Sequence, residues 1–251
     1  MLRGILLFVF TSAAFAQGPD SARLEITASY WSVHATGSIQ ANGTPINLQS
    51  DLGVPRNTAT FTGRLQLKLG SRSRIHVEGT PFNFDGSMNL SRTITYQRKV
   101  FSISDAITSH ADMNYIYGGY EFDLISRPSG HIGIEAGGAY LRAEGSITSQ
   151  VAGLTASKSE TIGMPLAGVA FRVFPVHGKV DVEINGEVKG MDFGSYGHYL
   201  QATANAGIGK GFLLVEGGYR IVNADIRTTN RLNAVSPEFR GPVVSLIFKL
   251  R

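Results

Sequence analysis

KVDVEINGEVKGMDF, residues 179–193, decides the fold. Val180, Val182, Ile184, Gly186 and Val188 alternate with Asp181, Glu183, Asn185, Glu187 and Lys189. In an extended strand, successive side chains leave opposite faces, so this spacing makes one face apolar and the other charged. TATFTGRLQLKL, residues 58–69, repeats the pattern, with Phe61, Gly63, Leu65, Leu67 and Leu69 against Thr60, Thr62, Arg64, Gln66 and Lys68. The final stretch VVSLIFKL, residues 243–250, sets Val244, Leu246, Phe248 and Leu250 against Ser245 and Lys249. Alternation alone fits a soluble sheet as well, so the solvent has to be argued from strand length and connections.

Ten such stretches lie near residues 23–36, 57–69, 74–86, 110–124, 131–146, 160–174, 179–193, 197–208, 212–226 and 240–250. Most are longer than the roughly five or six residues of a soluble strand. They match the roughly 9–11 residues that cross a bilayer at a tilt. Tight links at Gly70–Ser73, Ser126–Gly130, Pro175–Gly178 and Gly209–Gly211 alternate with longer ones at Gly37–Arg56, Ser87–Ser109, Ile147–Ser159 and Arg227–Phe239. The brief Gly194–Tyr196 link is the one exception. Short turns on one side and long loops on the other characterise transmembrane barrels. The expected fold is all-β: a transmembrane antiparallel up-and-down β-barrel of ten strands, with eight as the alternative count. The first strand, near Leu24–His34, should close the barrel against the last, and both termini should lie in the periplasm.

Arg3, the apolar run Gly4–Phe15 and the sequence Ala14-Phe15-Ala16 before Gln17 read as a cleaved export signal, residues 1–16. The run is too short for a membrane-spanning helix, which takes about 20 apolar residues. Residues 17–251 then form one barrel domain. The chain has no cysteine, so neither a disulfide framework nor a thiolate metal site is available. A hydrophobic content of 43% is too low for a helical membrane bundle and ordinary for a barrel, where only alternate residues face lipid. A formal charge of +4 gives no argument for nucleic acid.

Turning the charged face inward gives a lumen network of Arg64, Lys68, Glu78, Glu121, Asp123, Glu135, Arg172, Asp181, Glu183, Glu187, Lys189, Glu216, Arg220 and Lys249. Two readings follow: a lumen closed by ion pairs, or a charge-lined pore. In a small barrel the side chains nearly fill the interior, which favours closure. Aromatic residues are expected to form interfacial girdles: Tyr30, Trp31, Phe82, Phe84, Tyr115, Tyr117, Phe193, Tyr196 and Tyr199 at the outer rim, and Phe122, Phe171, Phe174, Phe212 and Phe248 at the inner. The pairs Gly118-Gly119, Gly137-Gly138 and Gly217-Gly218 within strands suit sharp curvature or close approach of a neighbouring ring.

The strand and turn pattern, with the candidate signal and the VVSLIFKL end, resembles the small bacterial outer-membrane β-barrel proteins. The resemblance implies the outer membrane of a Gram-negative-type bacterium, contact with its lipids, and recognition of the last strand by the barrel-assembly machinery. Members of this class usually end on an aromatic residue, whereas Lys249, Leu250 and Arg251 follow Phe248 here.

His34, His110, Asp112, Asp192, Ser195 and His198 fall near outer strand ends, where a nucleophile, base and orienting acid could converge. No metalloprotease, nucleophile-elbow or paired-carboxylate motif accompanies them, so no catalytic residue, metal or cofactor is assigned. Arg92, Arg98 and Lys99 in the loop Ser87–Ser109 could contact lipid phosphates. The leading expectation is a non-enzymatic barrel (structural, adhesin-like or a narrow conduit). A lipid-modifying hydrolase and a small-solute pore are the alternatives.

Overall fold

The computed structural model describes residues 18–227 and 233–250, so the expected export signal lies outside the described residues. Ten long strands follow one another: β1 Leu24–Ala41, β2 Asn57–Lys68, β3 Ser73–Asn89, β4 Ala106–Arg127, β5 Gly130–Ser149, β6 Thr155–Val176, β7 Asp181–Asp192, β8 Gly197–Lys210, β9 Leu213–Arg227 and β10 Asn233–Leu250. Each pairs antiparallel with its sequence neighbours, and β10 returns to β1 in a register running from Leu24 opposite Leu250 to Ala41 opposite Asn233. The sheet closes on itself, and in its apolar-belted half each strand is laddered on both sides, as a strand in hydrocarbon requires. β2 and β3 pair only from Gly63 opposite Gly79 to Lys68 opposite Arg74, so Thr80–Asn89 has no ladder partner on β2.

Polarity reverses along the strands. On β3, Ile75, Val77 and Pro81 point outward while Arg74, His76, Glu78 and Thr80 are buried inside. Two residues further on the pattern inverts: Asn83 and Asp85 point outward, and Phe82 and Phe84 are buried inside. On β4 the outward face passes from His110, Asp112 and Asn114 to Ile116, Tyr120, Phe122 and Leu124. One half of the barrel thus wears an apolar belt over a charged interior; the other wears a polar coat over an apolar interior. A contiguous belt of exposed Leu, Ile, Val and Phe exceeds anything a soluble monomer carries, and it is the lipid-facing surface. The half with the polar coat stands in water and is built like a soluble protein.

This inversion corrects the expected girdles. Trp31, Phe82, Phe84, Tyr115, Tyr117, Phe174 and Tyr199 are buried inside the barrel. Above the bilayer the inner face is the dry one, so Trp31, Phe82, Phe84, Tyr115 and Tyr199 fill the core there, while Tyr117 and Phe174 lie under Lys189 and Lys249 in the lumen. Exposed rings remain at Tyr30, which meets Phe61 edge-on at 5.6 Å, and at Phe122, Tyr140, Phe171, Tyr196, Phe212, Tyr219 and Phe248.

Two outer loops cap the mouth. Residues 42–56 and 90–105 bring Ile46, Leu52, Val54, Leu90, Ile94, Tyr96 and Phe101 down onto Trp31, Phe82, Phe84 and Phe239 as one buried cluster. The second loop folds as a small hairpin, Ile94–Tyr96 paired with Lys99–Phe101.

Candidate functional site

The membrane-embedded lumen is filled by a ladder of buried charges. At its periplasmic end the segment before β1 turns inward, and the side chain of Asp20 is fully buried. Arg74 donates to Asp20 at 2.7 Å and to Asp123 at 3.1 Å. His131 places Nδ1 3.0 Å from Asp20 and Nε2 3.2 Å from Glu121. Arg172 bridges Glu25 and Glu183, each at 2.8 Å, and Lys249 reaches Glu183 at 2.7 Å. Lys68 donates to the Asp20 carbonyl at 2.8 Å.

A second tier lies nearer the outside. Glu187 receives Arg64 at 2.5 Å and Lys189 at 2.6 Å, and Arg220 reaches Glu78 at 3.2 Å. His76 lies 3.3 Å from Glu135, and Lys189 sits 4.0 Å over the Tyr117 ring. Tyr117 lies along its own wall because Gly119 and Gly137 make room for it: a Cβ on either would fall within 2.8 Å of its hydroxyl. Glu216 is held by Asn185 at 2.5 Å. A polar cavity of about 80 Å³ remains between the tiers, bordered by Glu25, Arg64, Glu121, His131 and Glu187. Asp181 stands apart, at the periplasmic turn beside His177. Ion pairing offsets the cost of burying these charges.

Above the ladder the interior turns apolar. Phe82, Phe84 and Phe239 stack on one another with ring centroids 4.9–6.0 Å apart, and Trp31 meets Phe82 edge-on at 5.7 Å. Two compartments lie against this stack. The outer, about 110 Å³, is lined by Phe84, Ala111, Met113, Ala143 and Phe239, with Lys158, Glu160 and Tyr96 at its rim. The inner, about 40 Å³, lies between Trp31, Tyr115, Tyr199 and Val222, with Glu78 and Arg220 as its floor. Met113, Val235, Pro237 and Phe239 belong to both walls.

Sequence reading placed no weight on this chamber, because Trp31, Phe82, Phe84, Tyr115 and Tyr199 were assigned to an interfacial girdle at the outer rim. It also missed Asp20, Glu25, Arg74, His76 and His131 in the ladder. The last four occupy inward positions of their strands, so period-2 alternation was an available signal. Asp20 lies outside any strand, and only the fold brings it there.

The rim residues do not converge on one centre. His110 holds Asp85 through Nδ1 at 2.7 Å and Asp112 through Nε2 at 2.9 Å, on the outer surface of β3 and β4. Those two hydrogen bonds raise its pKa above the ordinary imidazole value, that from Asp85 contributing most. His34 bonds Asn57 at 2.9 Å, and His198 bonds Asn223 at 2.7 Å. Asp192 accepts from the Gly194 N–H at 2.7 Å, and Ser195 lies in the same short turn. β5 and β6 separate the His110 pair on β4 from the Asp192 and Ser195 group. In the cap, Arg92 grips Asp51 at 2.6 and 3.0 Å and donates to the Pro45 carbonyl at 2.7 Å, which ties the two loops together. Lys99 reaches the Thr155 carbonyl at 2.5 Å, and Arg98 sits in the hairpin turn with φ of 62°.

No protein-family model matches the sequence, and no curated protein matches it. Solved structures do match in fold. The outer-membrane protease OmpT from Escherichia coli superposes with a TM-score of 0.56 at 12% identity, over 95% of this chain and 99% of that one. The chain has the fold of an outer-membrane β-barrel protein. The translocator domain of the autotransporter NalP from Neisseria meningitidis follows at a TM-score of 0.49 and 10% identity, over 91% of this barrel and 89% of that chain. Ail, the attachment invasion locus protein of Yersinia pestis, gives 0.38 at 12% identity, over 89% of this barrel and 99% of that chain.

Proposed function

We propose that the protein is a non-enzymatic surface barrel of a Gram-negative-type outer membrane, closed to solutes, whose outer half serves as a binding cup. The observation that carries this reading is the change of interior along the barrel axis. The charged ladder blocks the membrane half, and the dry chamber above it faces the cell exterior through the capped mouth. A conduit would need a continuous hydrated path, and the two-tier ladder stands in its way. An enzyme would need a nucleophile aligned with a base, whereas both ring nitrogens of His110 are taken by carboxylates.

Planar-bilayer recording of the refolded protein tests closure. No unitary conductance steps are expected over a wide voltage range, and reproducible steps would overturn the closed reading. Hydrolysis of casein or a fluorogenic acyl ester that disappears in His110→Ala would overturn the non-enzymatic one.

A further inference from the structure

The chamber has the size, lining and polarity of a site for one small guest. Its outer and inner compartments measure about 110 and 40 Å³ and share a wall of four residues. A dry, apolar protein cavity of roughly 150 Å³ holds a benzene-sized molecule, so neither compartment reaches that size alone and a ring that meets Trp31 has to span both. Three near-parallel phenylalanine rings and Met113 supply flat, polarisable walls, which suit an aromatic ring through stacking and sulfur contacts. Lipid acyl chains do not fit, because the ladder closes the chamber from below and leaves a long chain nowhere to run.

Four buried polar atoms on residues lining the inner compartment lack a hydrogen-bond partner: Trp31 Nε1, the Tyr115 hydroxyl, Glu78 Oε2 and Arg220 Nε. Trp31 is 1% exposed, and its indole Nε1–H makes no hydrogen bond. A buried donor left unpaired costs about 1–3 kcal/mol. An acceptor on the guest would satisfy it. Glu78 and Arg220 beside the inner compartment neutralise each other through Oε1 and Nη1 at 3.2 Å, so the guest need carry no net charge.

We propose that the two compartments form a binding site for a neutral monocyclic aromatic molecule bearing one hydrogen-bond acceptor, which the Trp31 indole N–H would recognise. The ring lies against the Phe82, Phe84 and Phe239 stack and enters past the Lys158–Glu160 pair at the rim. The proposal rests on the binding-cup reading above and supplies its ligand class.

Trp31 is the chain's single tryptophan, so intrinsic fluorescence reports on the chamber itself. The full-length protein in lipid nanodiscs is titrated with phenol, with toluene (the same heavy-atom count without the oxygen) and with octanoate. Saturable quenching by phenol is expected, at least fivefold tighter than any response to toluene. Ala143→Phe, which fills the outer compartment, should weaken it at least tenfold while keeping the heat-dependent gel shift of a folded barrel. Ala111→Phe provides the second blocking variant, should the first fail to fold. In Trp31→Phe, calorimetry should show phenol weakened to the level of toluene. Unsaturable quenching that survives both blocking variants would mean partition into lipid and would overturn the site. Equal affinity for toluene and phenol would overturn the role of Trp31, and tighter binding of octanoate would overturn the aromatic class. Channel conductance, if found, would instead count against closure and leave these outcomes interpretable.

Discussion

Arg172 stands on β6 within hydrogen-bond reach of carboxylates from β1 and β7. Removing one partner of a buried ion pair leaves an uncompensated charge, at a cost of about 3–5 kcal/mol. Arg172→Met should therefore lower the stability of the folded barrel by about that amount, read from guanidinium unfolding in micelles. At the cap, the Arg92 guanidinium bonded to Asp51 holds that carboxyl below its ordinary range. A depressed carboxylate stabilises the fold above its unfolded pKa, and this contribution is lost as pH falls through the lower, folded value. The staple between the two loops should thus hold above the ordinary aspartate pKa and weaken below it. Pepsin cleavage within residues 42–56 and 90–105, followed as pH is lowered from about 4 to about 2, should rise in wild type, whereas in Asp51→Asn it should already be fast at the upper pH and lose the part of the rise that Asp51 supplies. His110 has the opposite sign. Its raised pKa gives a contribution present below the unfolded value and lost as pH rises through the folded one. Proton NMR should find the His110 titration moved down in Asp85→Asn. Individual residues were legible wherever strand alternation continued into the bilayer: Arg64, Glu78, Glu187 and Lys189 lie on inner faces and pair with one another. Asp20 was not legible, because no periodicity covers a residue that reaches the lumen from an irregular segment.

At the level of elements, long strands such as β3 and β4 are two strands joined end to end, with opposite polarity rules. An arginine at Leu246, inside the lipid belt, should cost about 2–4 kcal/mol, because a lipid-facing cation at mid-depth is poorly solvated. An arginine at Asn83, outward on β3 but beyond the belt, should stay within about 0.5 kcal/mol of wild type, as surface substitutions usually do. Unfolding titrations of the two variants test the position of the bilayer boundary directly; equal effects would misplace it. Phe101, fully buried under the cap, is the corresponding probe of the loop hairpin. Phe101→Ala should destabilise the cap by about 3–5 kcal/mol and speed its proteolysis without shifting the gel mobility of the barrel. The same inversion explains why Phe82, Phe84 and Tyr115 were read as interfacial. Their clustering at strand ends suggested the rim, whereas their phase, shared with Glu78 and Glu121, turns them inward onto a face that is dry beyond the bilayer.

For the whole molecule, closure follows from an even strand number and the β1–β10 register, and it removes the unpaired edge that a membrane does not tolerate. Boiled and unboiled samples should migrate differently on a gel, and a protein that remains soluble and monomeric without detergent would contradict the lipid belt. Alternation, strand length and the rhythm of short and long connections were sufficient to set class, strand count and closing pair, because they are local consequences of a chain that must satisfy its backbone and hide alternate side chains. The sequence by itself determined which residues are amphipathic and where the chain turns. Only the tertiary structure decided which end of each strand lies in lipid, that Asp20 reaches the lumen and the outer loops pack over the mouth, and that Trp31, Phe82, Phe84 and Phe239 line an apolar chamber. Those outcomes depend on strands distant in sequence meeting across a closed interior, and on which solvent each half of the barrel meets.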